Sequence, residues 1–368
     1  MRASQLLLQL FQQPQLALTL SADTWVHLIR LLRQQQQLAR YAYLFRQAGV
    51  FTQLPQYARH HLRNAEIIAD KQYRQVSAEA AELTQLLAPL QVKPVFLKGA
   101  AYALQQGLPA GIGRTFSDLD ILVPKEQITA VEQRLSVFGF LPEPVSAYDQ
   151  HYYRKWTHEI PPLRHHSRGT ILDIHHNLIP PISGRAPDIR RFWQQLNLTA
   201  DGYQVLSLPA MTLHSLIHLF FNEDFKKGFR DLTDLHLLFA GFSEQDWEQL
   251  LQLAEQTGFM FELMLACRYT SYLLATPIPA WVMQQTEQYQ PSKLRLRLLD
   301  FIFLRLLSPQ HPLLNTYLDQ LAALLALIRG HWLKMPPQIL FGHLSVKAFC
   351  VVRDSLFGKH QFSPKRPG

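Results

Sequence analysis

Cysteine is scarce in this sequence, with only Cys267 and Cys350 among 368 residues. The two lie far apart and each has apolar neighbours, which argues against a disulfide framework and against a thiolate zinc site. We therefore expect two buried free thiols in a reducing compartment. Charged residues are also few, 17% of the chain against 48% hydrophobic residues, and this balance predicts a globular protein rather than a disordered or fibrous one.

Long apolar runs are missing as well. Near the N-terminus, Gln9 and Gln12 interrupt the hydrophobic stretch that a signal peptide requires. The most apolar late segment, 312–328, contains Asn315 and Asp319, whereas a membrane-spanning helix needs roughly 20 mostly apolar residues. We therefore expect a cytoplasmic protein without a transmembrane segment.

Basic residues outnumber acidic ones, 36 to 28, which gives a formal net charge of +8. Such a charge permits attraction to nucleotides, nucleic acid or an anionic membrane surface. The basic residues are scattered, however, and no run of alternating basic and aromatic side chains offers a stacking platform for single strands. Nucleic acid stays open as a partner, but nothing in the sequence is dedicated to it.

The hydrophobic period divides the chain into three regions and a tail. Residues 1–90 and 206–357 carry apolar side chains at helical spacing, which predicts an N-terminal and a C-terminal helical region. Residues 91–205 alternate short strands with turns and helices and predict a small α/β domain. The basic tail, 358–368, is expected to be flexible. The predicted fold class is therefore α+β, a small mixed sheet with helices flanked by helical regions.

Three strands are predicted in the middle region. The first, Val95–Leu97, leads through Lys98 and Gly99 into a short helix that Gly107 closes. The second covers 118–123 and the third 170–175, where apolar and polar residues alternate clearly.

Two aspartates, Asp118 and Asp120, stand two apart on the second predicted strand, so their carboxylates project from one face of the sheet. Like charges held this close repel each other unless a cation lies between them, and magnesium prefers such oxygen ligands. Asp173 lies on the third predicted strand, and three carboxylates converge if the strands are neighbours. Two divalent ions about 4 Å apart could then hold a triphosphate and activate an attacking hydroxyl. The alternative for an isolated Asp-x-Asp is a solvated strand face near a turn.

Residues ahead of the acidic pair could hold the phosphates. A strand that ends at Lys98 and Gly99 and opens a helix at Ala100 presents free backbone N–H groups, and glycine permits close approach. Lys98 adds a positive charge, and Arg114 could reach phosphate oxygens with its planar fork of donors. We predict these four residues and Ser117 as the nucleotide-contacting set, with a plain strand cap at Lys98 and Gly99 as the alternative.

These motifs carry a family resemblance. The segments 96–101 (FLKGAA) and 114–123 (RTFSDLDILV), with the Phe-Gly-Phe of 138–140, resemble the uncharacterised bacterial nucleotidyltransferase-like family of the DNA polymerase β superfamily. Residues 172–175 (LDIH) resemble its later Asp-x-His segment, and 230–234 (RDLTD) resemble its downstream pattern. The similarity spans about residues 90–240.

The resemblance implies a polymerase β-type nucleotidyltransferase domain that binds Mg²⁺ and a nucleoside triphosphate such as ATP. The metal-binding and catalytic residues that it implies are Asp118, Asp120 and Asp173. Two Mg²⁺ ions are implied, with Mn²⁺ as a possible substitute.

Three functions stay open. The leading hypothesis is an enzyme that transfers a nucleotide to a hydroxyl or phosphate on a small molecule, sugar or protein. The second is an inactive scaffold or binding protein in polysaccharide or peptide biosynthesis, suggested because Ala100 follows Gly99 where the superfamily usually has Gly-Ser or Gly-Gly. The third is a nucleotidyltransferase antitoxin or RNA-modifying protein, suggested by the basic charge, which predicts salt-sensitive RNA binding.

Histidines near the third strand admit a zinc or manganese hydrolase as a further alternative. They are His165, His166, His175 and His176. Adjacent histidines on a strand point to opposite faces, so only His175 shares the face of Asp173. It could hydrogen-bond a metal-bound carboxylate, although a structural or exposed histidine is the simpler interpretation.

Two pairs of polar residues in the C-terminal helical region have spacings that place each pair on one helix face. Asp231 and Asp234 share one helix face, which we interpret as solvated, with contact to a nucleotide sugar as the alternative. His214 and His218 have a spacing that suits a metal, but no Glu follows the first His as a zinc-protease motif requires.

Overall fold

The computed structural model describes residues 3–144, 146–312 and 315–342. Cys350, the tail and the end of the predicted C-terminal helical region near residue 357 lie outside the described residues. Cys267 is a buried free thiol, as predicted, and burial raises its pKa to about 12.

The N-terminal part of the chain is helical, as its apolar spacing predicts. Its helices are α1 (Ala3–Gln12), α2 (Ala22–Gln34), α3 (Leu38–Gln47) and α4 (Gln56–Leu87). The predicted cap of α2 is confirmed, because the Ser21 side chain accepts a hydrogen bond from the backbone N–H of Thr24. Fully buried Trp25, Tyr41 and Phe45 pack edge to face between α2 and α3.

A mixed seven-stranded sheet follows, in the order β3-β4-β5-β2-β1-β7-β6. The strands are β1 (Val95–Leu97), β2 (Leu119–Leu122), β3 (Phe140–Pro142), β4 (Leu163–His165), β5 (Ile171–His175), β6 (Leu196–Leu198) and β7 (Gln204–Leu206). The three predicted strands are β1, β2 and β5, and they are neighbours at the centre of the sheet. Strand β2 pairs antiparallel with β1 and parallel with β5.

Helices cover the sheet and continue beyond it. Between the strands lie α5 (Lys98–Leu104), α6 (Ile128–Val137), α7 (Ala147–Trp156) and α8 (Arg190–Trp193). After the last strand come α9 (Leu208–Phe221), α10 (Gly228–Phe239), α11 (Glu244–Thr257), α12 (Met260–Leu274), α13 (Ala280–Glu287), α14 (Lys293–Leu306) and α15 (Tyr317–Lys334). Over the described ranges, no helix has both the length and the apolar character needed to cross a membrane.

Helix α9 is the centre of the C-terminal part. It is apolar on nearly all sides, as expected for a helix that is buried all round. It packs against α10, α11 and α12 and against strand β7. The sheet and the C-terminal helices therefore share one continuous hydrophobic core, and this shared core fixes the position of α10 relative to β2.

Candidate functional site

Strand pairing brings two of the three predicted aspartates side by side. Asp120 on β2 and Asp173 on β5 are direct partners in the parallel register. Their neighbours Leu119, Ile121 and Leu172 are buried, which anchors both strands in the core. Asp118, which the sequence placed on the strand, lies just before β2, and its side chain is exposed.

Asp120 is buried and holds two partners on the same oxygen. The Nζ atom of Lys98 lies 2.6 Å from Oδ1 of Asp120, and Nε2 of His175 lies 2.9 Å from it. Burial alone would raise the pKa of Asp120, but the Lys98 charge and the His175 hydrogen bond outweigh it and hold that pKa well below its ordinary value. Asp120 is therefore an ionised, acceptor-only carboxylate.

Lys98 is held in place from both its backbone and its side chain. Its φ of +47° lies in the left-handed region, which is unfavourable for a residue with a Cβ atom. Burial opposes its charge, but Asp120 and Glu159 raise the pKa of Lys98 above its ordinary value, so it stays protonated. Backbone strain of this kind persists only where the surroundings fix it, and it is common at functional sites.

Asp173 is in the opposite electrostatic state. Its Oδ1 atom is buried and has no hydrogen-bond partner among the described residues. Burial, then the charges of Asp120 and Glu159, raise the pKa of Asp173 to about 7. Ionising this carboxyl at neutral pH is therefore costly until a cation approaches it.

A cleft of about 300 Å³ opens in front of Asp118 and Asp120. Its rim carries mixed charge, because Lys226 and Arg230, before and in α10, pair with Asp224 and Asp231 of the same rim. Its lining residues are Lys98, Gly99, Tyr102, Arg114, Phe116, Ser117, Asp118, Asp120, Ser215, His218, Asn222, Asp224, Lys226, Lys227, Arg230, Asp231 and Asp234. Four of the five predicted nucleotide-contacting residues line the cleft.

Ser117 links the acidic centre to Lys227 on the rim of the cleft. Its hydroxyl donates to Oδ1 of Asp118 at 3.0 Å, and Nζ of Lys227 donates to Ser117 Oγ at 3.3 Å. Sequence reasoning missed Lys227 as a site residue, since the Lys-Lys pair before α10 is indistinguishable in sequence from an ordinary solvated turn. Ala100, the fifth predicted nucleotide contact, is buried in the core and does not line the cleft.

Arg114 points toward α10. Its Nε atom lies 2.7 Å from Oδ2 of Asp234, and Nη2 of Arg40 lies 2.8 Å from Oδ1 of the same carboxylate. The predicted solvated face is wrong for Asp234, which is only 3% exposed. The Arg40–Asp234–Arg114 triad ties α3, α10 and the loop before Asp118 together. Hydrophobic periodicity could not reveal it, because ion pairing through space leaves no periodic pattern.

Gly99 is required by this packing. A Cβ atom at Gly99 would lie 2.8 Å from Nη1 of Arg114 and 3.1 Å from the Phe116 ring. Only glycine therefore lets the start of α5 approach the loop that carries Arg114 this closely.

His175 is buried, and its Nε2 atom contacts the Asp120 carboxylate. In the sequence, contact with a carboxylate was the alternative to a structural or exposed histidine. Two residues that sequence reasoning missed lie beside it, His158 and Glu159. Within the described ranges, ligand atoms of His158, Glu159 and His175 lie within 4.8 Å of one another, whereas the three aspartates do not form such a group.

Three other imidazoles near the site, one buried and two half-buried, have lowered pKa values. Burial first, then Lys98, lowers the pKa of His214 to about 3 and that of His218 well below its ordinary value. Burial also lowers the pKa of His158 well below its ordinary value, assisted by His175 and Lys98. Among these groups Lys98 is therefore the positive charge that faces the carboxylates.

Fold and site together define a mixed α+β protein with paired carboxylates beside a polar cleft of mixed charge. A family model described as "Uncharacterised nucleotidyltransferase" matches residues 21–275. The chain therefore belongs to this uncharacterised nucleotidyltransferase family, which confirms the family predicted from the motifs and extends it to α2 and α12. No curated protein and no solved structure matches the sequence.

Proposed function

We propose that this protein is a Mg²⁺-dependent nucleotidyltransferase that moves a nucleotide from a nucleoside triphosphate to a hydroxyl or phosphate acceptor. The observation that carries the proposal is the pairing of Asp120 with Asp173 on adjacent parallel strands. It is supported by the family match and by the polar cleft that opens in front of Asp118 and Asp120 and contains Lys98, Lys227 and Arg114.

The acidic centre fits a divalent cation by its chemistry. Carboxylate oxygens are the ligands that Mg²⁺ and Mn²⁺ prefer. The buried Oδ1 of Asp173 has no partner among the described residues, and a cation would stabilise its ionised form. Asp118 is exposed at the cleft, so it is the carboxylate with freedom to turn toward the other two. We assign Asp118, Asp120 and Asp173 as the metal ligands.

The reaction follows from this arrangement. Attack of the acceptor oxygen on the α-phosphorus forms a new P–O bond and breaks the α–β bond, which releases pyrophosphate, while the acceptor proton passes to solvent. Bound divalent cations supply charge neutralisation and activation of the attacking oxygen. Lys98 lies where the acidic centre meets the cleft, and we assign its ammonium to the triphosphate oxygens. Lys227, which donates to a hydroxyl whereas Lys226 and Arg230 pair with acids, offers a further positive charge to the anionic substrate.

A second candidate function is favoured by the Lys98–Asp120 ion pair, whose Nζ–Oδ1 distance is 2.6 Å. An ammonium that stays on this carboxylate competes with a metal for it. Ala100, buried and without a hydroxyl, offers no side-chain donor where the superfamily usually has Gly-Ser or Gly-Gly. Both features suit a scaffold or binding protein that kept the fold and lost turnover.

The test uses each of the four nucleoside triphosphates labelled at the α-phosphate, with MgCl₂ or with a chelator. A panel of sugars, sugar phosphates and the protein itself serves as acceptor. The exposed acid Asp118 is changed to Asn, and Asp188→Asn, in an exposed pair with Arg190, is the matched control.

We expect Mg²⁺-dependent transfer of label and release of pyrophosphate by the wild type and the control, and loss of both in Asp118→Asn. Absence of transfer and of pyrophosphate release by the wild type with every nucleotide and acceptor would overturn the transferase and favour the scaffold.

A further inference from the structure

A second group of metal-binding side chains lies behind the acidic centre. The segment after α7 folds back on β5, where Glu159 forms an isolated antiparallel β-bridge with His175 through the backbone. The backbone N–H of His176 donates to the carbonyl of His158 at 2.8 Å, and that of Ile160 donates to the carbonyl of Ile174 at 3.1 Å. The segment is therefore fixed by the sheet, and its side chains have defined positions.

Three of these side chains converge. Oε2 of Glu159 lies 3.4 Å from Nδ1 of His175 and 3.9 Å from Nε2 of His158. The two imidazole rings are 5.3 Å apart. All three residues offer ligand atoms within 4.8 Å of one another. Both carboxylate–nitrogen distances are short enough for the two atoms to share one ion with bonds of about 2.0–2.2 Å.

Hydrogen bonding fixes which nitrogen of His175 carries the proton. Nε2 faces Oδ1 of Asp120, and that oxygen already accepts from Lys98 Nζ. Because the carboxylate is an acceptor, Nε2 is the donor to Asp120. Nδ1 is buried, makes no hydrogen bond within the described residues, and faces the Glu159 carboxylate at 3.4 Å. The space between these two atoms suits a metal ion or a proton.

We propose that His158, Glu159 and His175 form a binding site for a divalent transition metal of the zinc class. Two imidazoles and one carboxylate are the donor set of open zinc sites and suit Co²⁺ as well. Asp120 is then the outer carboxylate that orients a metal-bound histidine. The ion fixes the segment after α7 on β5 and keeps His175 against Asp120, and it is separate from the all-oxygen site for Mg²⁺.

This inference does not depend on nucleotidyl transfer. The alternative to a metal ion between Nδ1 of His175 and Oε2 of Glu159 is a proton, which would make His175 an imidazolium that bridges Asp120 and Glu159. The two occupants differ in stoichiometric metal binding, which is measured without nucleotide.

The experiment strips the full chain with a chelator and titrates it with Zn²⁺ by calorimetry and with Co²⁺ by visible absorption, in excess Mg²⁺ to fill all-oxygen sites. His158→Ala and Glu159→Gln remove ligands. His166→Ala removes an exposed histidine outside the group and is the matched control. Circular dichroism checks that each variant is folded.

We expect one equivalent of Zn²⁺ and visible Co²⁺ bands typical of nitrogen ligation in the wild type and the control. Loss of a ligand should weaken Zn²⁺ binding at least about tenfold, the lower end of the effect of removing a supporting partner of a metal ligand. Glu159→Gln nearly preserves side-chain shape and decides the matter if His158→Ala fails to fold. Absence of stoichiometric Zn²⁺ in the wild type, or equal binding by the ligand variants and the control, would overturn the site and leave the bridging imidazolium.

Discussion

Asp234→Asn should be among the most destabilising single changes near the cleft. Asn keeps the shape of the side chain but leaves the Arg40 and Arg114 guanidinium groups without their shared counter-ion. The side chains of Arg40, Arg114 and Asp234 are 6%, 8% and 4% exposed, so solvent cannot replace the lost partner. Removing one partner of a buried ion pair costs about 3–5 kcal/mol, and we expect that loss in the free energy of unfolding.

The assay is urea unfolding at neutral pH, followed by tryptophan fluorescence and by circular dichroism. Asp188→Asn is the control, because Asp188 and Arg190 form a pair that is 43% and 83% exposed. Such an exposed surface pair contributes little to stability, because water and salt screen it. A loss in Asp234→Asn no larger than that in Asp188→Asn would refute the assignment of Arg40–Asp234–Arg114 as the tie between α3, α10 and the loop before Asp118.

The pH dependence gives the same triad a second readout. Burial alone would raise the pKa of Asp234, but Arg114 and Arg40 outweigh it and lower that pKa below its ordinary value. The stabilisation is therefore complete above the unfolded pKa of about 3.9 and is lost as the pH falls through the folded pKa. The difference in free energy of unfolding between the wild type and Asp234→Asn should be constant from pH 5 upward. It should begin to narrow by about pH 4 and shrink further in stronger acid.

Three further changes probe the acidic centre and its support. Lys98→Met leaves Asp120 without its ammonium and should lower the free energy of unfolding by about 3–5 kcal/mol, with part recovered on adding MgCl₂. Gly99→Ala should cost about 1–3 kcal/mol in the same urea assay, because Asp234 prevents Arg114 from moving away from the new methyl group. Asp173→Asn should be more stable than the wild type at pH 8 without metal, by about 1–3 kcal/mol, and not below pH 4.

The sign of the last prediction follows from the direction of the pKa shift. A carboxyl whose folded pKa is raised, here to about 7, binds its proton more tightly in the native state. The wild type therefore loses stability as the pH rises from about 4 through 7, whereas Asp173→Asn has no such loss. Parallel pH profiles for the two proteins would contradict the electrostatic account of Asp173.

For Gly99→Ala and Lys98→Met, separate outcomes would contradict the prediction. Gly241→Ala is the control for Gly99→Ala, because the nearest atom to its added Cβ would be 3.5 Å away and its backbone is unstrained. Equal losses at the two glycines would argue against the close approach of Arg114. For Lys98→Met, a stability equal to that of the wild type in chelator would show that the ammonium does not balance the Asp120 charge.

The centre of the sheet was predictable from sequence, and its edges were not. Strands β1 and β5 are apolar or alternating runs that leave a clear pattern, and β2 begins inside the Asp-x-Asp, at Leu119. Strands β3 and β6 have three residues each and only one that is even partly buried, so they carry no alternation that distinguishes them from loops.

The site residues that lie on strands could be predicted from the sequence. The alternation of Asp120 and of Asp173 with apolar neighbours predicted a strand for each, but left open whether the strands are neighbours, which the pairing of β2 with β5 shows. Asp118 lies outside the strand because β2 begins one residue later. The contacts of Arg114 with Asp234, 120 residues away in sequence, and of His175 with Glu159 depend on chain folding and leave no spacing to read.

The central claim is that the three aspartates hold a metal–nucleotide complex in the cleft. Its most direct test is the melting temperature of the wild type and of an Asp118→Ala/Asp120→Ala variant with Mg²⁺ and each of the four nucleoside triphosphates. A ligand at about 100 times its dissociation constant adds about 2.7 kcal/mol to native-state stability, enough to resolve. We expect at least one nucleotide to raise the melting temperature of the wild type in the presence of Mg²⁺. The variant should show no such rise. No rise with any nucleotide, or an equal rise in the variant, would contradict it.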